Sequence, residues 1–534
     1  MKQFNKYRAF DYVYSLSKYH RVQGSDALLK AAQFIFDKLN RDDKQLIYYN
    51  YDGESRYGNF TAPMGWDPID GGLYLGGELL ISYEDAPLFI TVHSPPGYAE
   101  GLVVTEPSKA EGKILLTPSR DAKREYIKAA KAGASGVIFY SEDLPSTAIP
   151  YRSLFLKKDE MNYSLPAVSI PKNLVNKILD KNVTIRVSAK REPKKMPVIY
   201  AGTEKSKFLI TSHMCHPFPG ANDNASGAGL ALELANAGAE AYFLWIPEHY
   251  GSMAFFSDHS PSYELGINLD MVGENQKITG STLQVSYTPF SQKSPYEEIL
   301  KAAIKDISPS YDIRYKFVDF DVGSDHAVLV QNGIPAVSLT NWPDLYYHSS
   351  EDFVDKVSTE MLDFVGKGVL NFLASEPPIY LDEVWKSKYK AFLLNRFGRE
   401  DAEKLMAVQR SKYRNFLPVP TAYLNWGNVD NFPNSWNAGA AYLEYSNLSV
   451  QLGEKAARRL ASIAYGISEE DLEKLNEWYK RRLKLRADHL IRTITQRKIA
   501  RFLKNKGGSP QNRDNEWGCT MCIPPSTNSV APVI

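Results

Sequence analysis

Residues 207–238 read "KFLITSHMCHPFPGANDNASGAGLALELANAG". An apolar run, "FLIT", passes into a loop rich in Gly, Pro and Asn, which then gives way to a small-residue helix pattern. This is a strand–loop–helix unit, and its loop is crowded with potential metal ligands. His213, Cys215, His216 and Asp223 all fall within it, although the 534-residue chain has only nine histidines and three cysteines. Imidazole, thiolate and carboxylate are the groups that bind borderline-soft divalent ions.

The same texture continues on the C-terminal side. "AYFLWIP", "LGINLDMVG", "YKFVDFD" and "IPAVSLT" read as strands, and "GSMAFFSDH", "SPYEEILKAAIKDI" and "DHAVLVQNG" as the helices between them. The piece between "LDMVG" and "SPYEE" reads as irregular. Alternation of this kind predicts an α/β fold over residues 197–377, a mostly parallel central sheet covered by helices.

In such sheets ligands gather at the carboxyl ends of the strands. His213 follows "FLITS", Asp223 lies in the next loop, Glu248 and His249 follow "AYFLWIP", Asp270 follows "LGINL", and His348 lies beyond "IPAVSLT". Histidines and carboxylates in this arrangement suit Zn2+, either two ions or one. Asp223 could bridge a pair of ions, with His213 and Asp270 completing one and His249 and His348 the other. Glu248 is left as a general base. His216 reads as a support for a ligand or substrate and as the runner-up for direct ligation. Cys215 reads as a small buried thiol and an outside alternative ligand. In "GSDH", Asp325 and His326 read as cap and pocket residues for the helix that follows.

Taken in order, "PGANDNASG", "PEHYGS", "NLDMVG", "GSDHAVLVQNGIPAVSL" and "YHSSED" resemble the successive signatures of the co-catalytic zinc aminopeptidases, a family that includes glutamate carboxypeptidase and glutaminyl cyclase. "HRVQGS" at residues 20–25 is similar to the family's amino-terminal segment. The resemblance implies that His213, Asp223, Asp270 and His348 are metal ligands, that Glu248 is the base, and that the Asp223–Asn224 peptide is cis. This chain departs from the family pattern twice. Cys215 stands where an orienting aspartate is usual, and His249 stands where a second glutamate is usual. The "HMCHP" form resembles an aminopeptidase-like branch of the family.

Residues 1–79 read as the first part of the peptidase domain, with helices over "RAFDYVYSLSKYH" and, capped by Ser25, over "DALLKAAQFIFDKLN". Residues 80–196 carry short β-rich runs such as "GKILLTP", "ASGVIFYSE" and "LPAVSI", and resemble an inserted protease-associated domain. Residues 378–506 read as a C-terminal helical region, with oligomerisation suggested by the family layout. Residues 507–534 read as a polar, disordered tail in which Cys519 and Cys522 are half a zinc site without partners nearby.

With 63 basic and 62 acidic residues, no net field favours nucleic acid or a membrane surface. No uncharged apolar run approaches the ~18 residues of a membrane span, and the first twenty residues hold no apolar stretch of signal-peptide kind. A cytoplasmic enzyme acting on peptides is expected. The favoured activity is that of an aminopeptidase, with a glutamate-carboxypeptidase-like hydrolase and a non-catalytic binding protein as rivals.

Overall fold

A computed structural model describes residues 3–58, 60–203, 205–375, 381–408 and 435–477. The predicted helix beyond Trp478 and the Cys519/Cys522 pair lie outside the described residues. The chain divides into residues 1–469 and 470–534, and of the second unit residues 470–477 are described and helical.

An eight-stranded sheet carries the site. Its strands are β1 (Gln45–Tyr51), β2 (Lys194–Ala201), β3 (Phe208–His213), β4 (Tyr242–Ile246), β5 (Leu265–Leu269), β6 (Thr282–Ser286), β7 (Tyr315–Val318) and β8 (Ala336–Trp342), in the order β1-β2-β4-β3-β5-β8-β6-β7. The centre, β4-β3-β5-β8, is parallel throughout, and so is the β6–β7 edge pair. Three pairings, β1–β2, β2–β4 and β6–β8, are antiparallel. The sheet is therefore more mixed than the alternation predicts. The reason is that β1 and β2 flank a long excursion of the chain, and β6 comes from the stretch that had read as irregular. β6 alternates apolar and polar residues over only five positions, too few to stand out beside the longer runs. By contrast β4 and β5 are buried at every residue, as central strands covered on both faces must be.

Helices follow the strands. α1 (Lys6–Leu16) is capped by Asn5 and α2 (Asp26–Lys38) by Ser25, whose hydroxyl accepts the Leu28 N–H at 3.1 Å. α3 (Gly227–Asn236) is buried along nearly its whole length, packed on β3 and under α1. Gly229 permits that closeness, since a Cβ there would lie 3.0 Å from the Val13 nitrogen. Glu233 is the polar exception on α3. It is fully buried, and Arg8 neutralises it at 2.6 Å while the Asn5 N–H binds it at 2.8 Å. α4 (Tyr250–Asp258), α5 (Tyr296–Ile307), α6 (His326–Gln331) and α7 (Thr359–Ala374) complete the cover.

Between β1 and β2 the chain builds a second, seven-stranded sheet from Trp66–Leu75, Glu78–Ser82, Gly97–Val104, Ile114–Thr117, Gly136–Phe139, Ala167–Ser169 and Asn182–Arg191. Its first two strands lie wholly or partly before residue 80, the boundary that the sequence suggests. The earliest, "WDPIDGGLYL", is broken by Pro68 and two glycines and so lacks a strand's usual signature. Beyond α7, and before the helical residues 470–477, the described helices are Leu381–Phe397, Arg399–Ala407, Ser435–Leu452 and Glu454–Tyr465. No described helix is long and apolar enough to cross a membrane.

Candidate metal centre

Each site residue stands where the sheet delivers it. His213 is the last residue of β3, Asp270 follows β5 directly, and Glu248 lies two residues past β4. Asp223 sits in the irregular turn Ala221–Ser226 that opens α3, with non-helical φ/ψ, and the Asp223–Asn224 peptide is cis. His348 follows β8 in a loop and has φ 53°.

These residues meet as two triplets that share one carboxylate. In the first, His213 Nε2 lies 3.3 Å from Asp223 Oδ1 and 3.2 Å from Asp270 Oδ1. In the second, Asp223 Oδ2 faces His216 Nε2 at 3.4 Å and His348 Nε2 at 3.3 Å. The strand-end reading assigns the second triplet's remaining place to His249. The structure seats His216 there and leaves both His249 and Cys215 outside the two triplets.

The reason is local backbone geometry. His249 has φ 58° and begins α4, with its N–H bound to Asp325 Oδ1 at 2.8 Å. Its imidazole lies beside Glu248, Nε2 being 3.5 Å from Glu248 Oε1. Burial, reinforced by His213 and His326, pushes its pKa down to about 3, so the ring stays neutral. Asp325, expected to cap its own helix α6, instead holds the start of α4, accepting also the Ser252 hydroxyl at 2.6 Å.

The imidazoles are oriented for a cation. His213 Nδ1 contacts the Cys215 carbonyl at 3.0 Å and His216 Nδ1 the Pro217 carbonyl at 2.8 Å. A carbonyl can only accept, so each Nδ1 carries a proton and each Nε2 is left to face Asp223. His216 Nε2 and Asp223 Oδ1 are buried without a hydrogen-bond partner, an arrangement that a shared divalent ion would satisfy. The electrostatics agree. Burial opposes the charge on Asp223, yet His216, His348 and His213 hold its pKa well below the usual range. Burial works against charge on His213 as well, and the carboxylates of Asp270 and Glu248 overcome it to raise its pKa. Burial pushes the Glu248 carboxyl well up, with Asp270, Asp325 and Asp223 adding to the rise against the pull of His213.

Several supporting residues lie inside the quoted motifs, but only the structure shows what they hold. The Asp352 carboxylate accepts the Asn222 N–H at 2.9 Å and the Asp223 N–H at 3.0 Å, holding the backbone of the shared aspartate. Asn224 ties three loops together, donating to Ser212 Oγ and the Leu269 carbonyl and accepting from the Gly227 and Met271 N–H groups. Arg21 is fully buried and donates to the carbonyls of Leu16, Met214 and Gly220 at 2.6, 2.9 and 2.7 Å. The loop that carries His216 is thus held by a residue nearly two hundred positions earlier in the chain. Cys215 links Glu248 to the first triplet, its sulfur accepting the Glu248 N–H at 3.2 Å and lying 3.8 Å from His213 Nδ1.

The first triplet and Glu248 open on a cleft of about 310 Å³, whose far wall includes Gln284, Asp321, His326, Thr340 and Trp342. Among the described residues no lysine or arginine lines it.

Residues 198–373 match the model of peptidase family M28. Aminopeptidase YwaD of Bacillus subtilis (strain 168) is 27% identical over 293 residues, 48% of this chain and 61% of that protein, so the match spans about three-fifths of the relative's length. Among solved structures, a zinc aminopeptidase from Bacillus subtilis superposes with TM-score 0.53 at 20% identity, covering 71% of this chain and 97% of that one. A putative peptidase from Clostridium acetobutylicum does so with TM-score 0.53 at 16% identity, covering 86% and 95%. These two likenesses are likenesses of fold. The strand-end triplets lie within the matched segment, residues 198–373, and it is this segment that carries the likeness to the zinc exopeptidases of peptidase family M28.

Proposed function

We propose that the chain is a zinc-dependent exopeptidase that removes residues from the amino ends of peptides. His213, Asp223 and Asp270 would hold one ion, and His216, Asp223 and His348 the other. When bound, the ions polarise the scissile carbonyl and make water a nucleophile near neutral pH. Glu248, beside the first triplet and in the same cleft, takes the proton from the attacking water and returns it to the departing amine. His249, neutral and next to the Glu248 carboxylate, keeps that carboxylate turned to the cleft. The second-sheet unit fits the reading as an inserted protease-associated-like domain.

The observation that carries the choice of peptide end is the cleft lining. Asp223, Glu248, Asp270 and Asp321 face it and no lysine or arginine does among the described residues. A free α-ammonium group is at home there, whereas a carboxypeptidase must pair its substrate's terminal carboxylate with a cation. The test is a matched pair of peptides, one with a free and one with an acetylated N-terminus. Stepwise release from the free peptide alone is expected. Equal release from the blocked peptide would sink the aminopeptidase reading.

A further inference from the structure

The second-sheet unit reaches the second triplet. Its segment 147–151 lies along the loop that carries His348. The Tyr151 N–H donates to the His348 carbonyl at 2.7 Å, and the Ser350 N–H donates to the Ile149 carbonyl at 2.9 Å. The Ile149 N–H donates to Ser350 Oγ at 2.9 Å, and the Thr147 hydroxyl donates to Glu351. Pro150 and Ser349 form a β-bridge between the two segments. The strap is rooted at its other end in the second-sheet unit, where the buried Arg152 donates to the Ser119 carbonyl at 3.0 Å and Val92 pairs with Ser153.

The strap delivers one side chain to the second triplet. The Tyr151 ring meets His216 edge-on, with centroids 5.1 Å apart at 77°, and meets His348 at 4.8 Å and 56°. The two imidazoles are 5.6 Å apart, and Tyr151 shares a pocket with both of them and Glu248. The contacts lie in the range of favourable tilted and edge-to-face ring pairs. His216 and His348 come from loops far apart in sequence, and the tyrosine is a third body touching both.

We propose that Tyr151 is a positioning residue for the second metal half-site, so that the second-sheet unit completes that half-site. This rests on the two-ion reading above. The ring fixes the planes of the His216 and His348 imidazoles, so their Nε2 atoms converge on Asp223 before an ion arrives. His213 and Asp270, the ligands that only the first triplet uses, are not among the rings and side chains that Tyr151 is seen to meet, which are His216 and His348. Losing Tyr151 therefore weakens one ion's affinity and leaves the other's unchanged.

The experiment is a zinc titration of the metal-free full chain against a competing chelator, with thermal unfolding as a check on folding. Wild type is expected to take up two ions. Tyr151→Ala should bind one as wild type does and the other about 10–100-fold more weakly, the usual cost of losing support around a ligand. Tyr151→Phe, which keeps the ring, should restore the second affinity. Unchanged binding of both ions by Tyr151→Ala, equal weakening of both, or no rescue by phenylalanine would each overturn the assignment. Should Tyr151→Ala not fold, Thr147→Val with Ser350→Ala loosens the strap instead and should show the same selective loss; unchanged binding there would overturn it. Wild-type protein that binds no zinc would bring down the two-ion reading itself, and with it this assignment.

Discussion

Two adjacent residues, Glu248 and His249, show how much a single dihedral decides. Both follow β4, and a strand-end argument treats them alike. The left-handed φ of His249 and the bond from its N–H to Asp325 turn its ring to the side of Glu248. His216 lies only three residues beyond His213, yet it reaches the shared Asp223 because its loop folds back over the site. Replacing His216 with Ala should therefore lower the affinity for one zinc and cut turnover by at least ~10²-fold, whereas His249→Ala should leave both ions bound. Competition with a chelator, read beside peptide release, separates the two. Metal loss in the His249 variant with retention in the His216 variant would reverse the assignment. Glu248→Gln should keep both ions and lose nearly all turnover, checked by elemental analysis beside the same assay. His213, Asp223, Asp270, His348 and Glu248 were visible in the sequence because each lies just beyond or between recognisable strands. His216 was visible only as a candidate, because its loop's path depends on a residue nearly two hundred positions away.

That residue, Arg21, belongs to the scale of elements. It joins the end of α1 to the loop after β3 by hydrogen bonds to carbonyls alone. Burial lowers its pKa to about 10, so it stays charged at neutral pH. Removing the guanidinium leaves several buried carbonyls without donors, each costing ~1–3 kcal/mol. Arg21→Met should thus destabilise the metal-free protein by ~3 kcal/mol or more in chemical denaturation. Arg21→Lys should recover little of that, since an ammonium cannot fork across these acceptors. A variant within ~0.5 kcal/mol of wild type would refute this role. The strand β6 and the early strands of the second sheet escaped the sequence for a different reason. They are short or broken by Gly and Pro, and their pairing is decided by neighbours far away in the chain.

Across the whole molecule, the helix Ser435–Leu452 ties the C-terminal helices to the peptidase domain through Glu444, which accepts the Phe290 N–H at 3.0 Å and the Ser291 N–H at 2.5 Å. Burial raises its pKa from 4.5 to about 7, outweighing these hydrogen bonds. A raised acid binds its proton in the folded state at pH values where the unfolded chain has lost it. Its contribution is complete below about pH 4.5 and fades as pH rises through 7, by up to ~3 kcal/mol. Glu444→Gln should flatten the urea midpoint across that window, and an unchanged slope would count against the anchor. The central claim is simpler, that one chain holds two ions through one bridging carboxylate. Elemental analysis of zinc-saturated, desalted protein tests it most directly. The account predicts two zincs per wild-type chain and none in Asp223→Ala; one zinc in wild type, or zinc retained in the Asp223 variant, would contradict it.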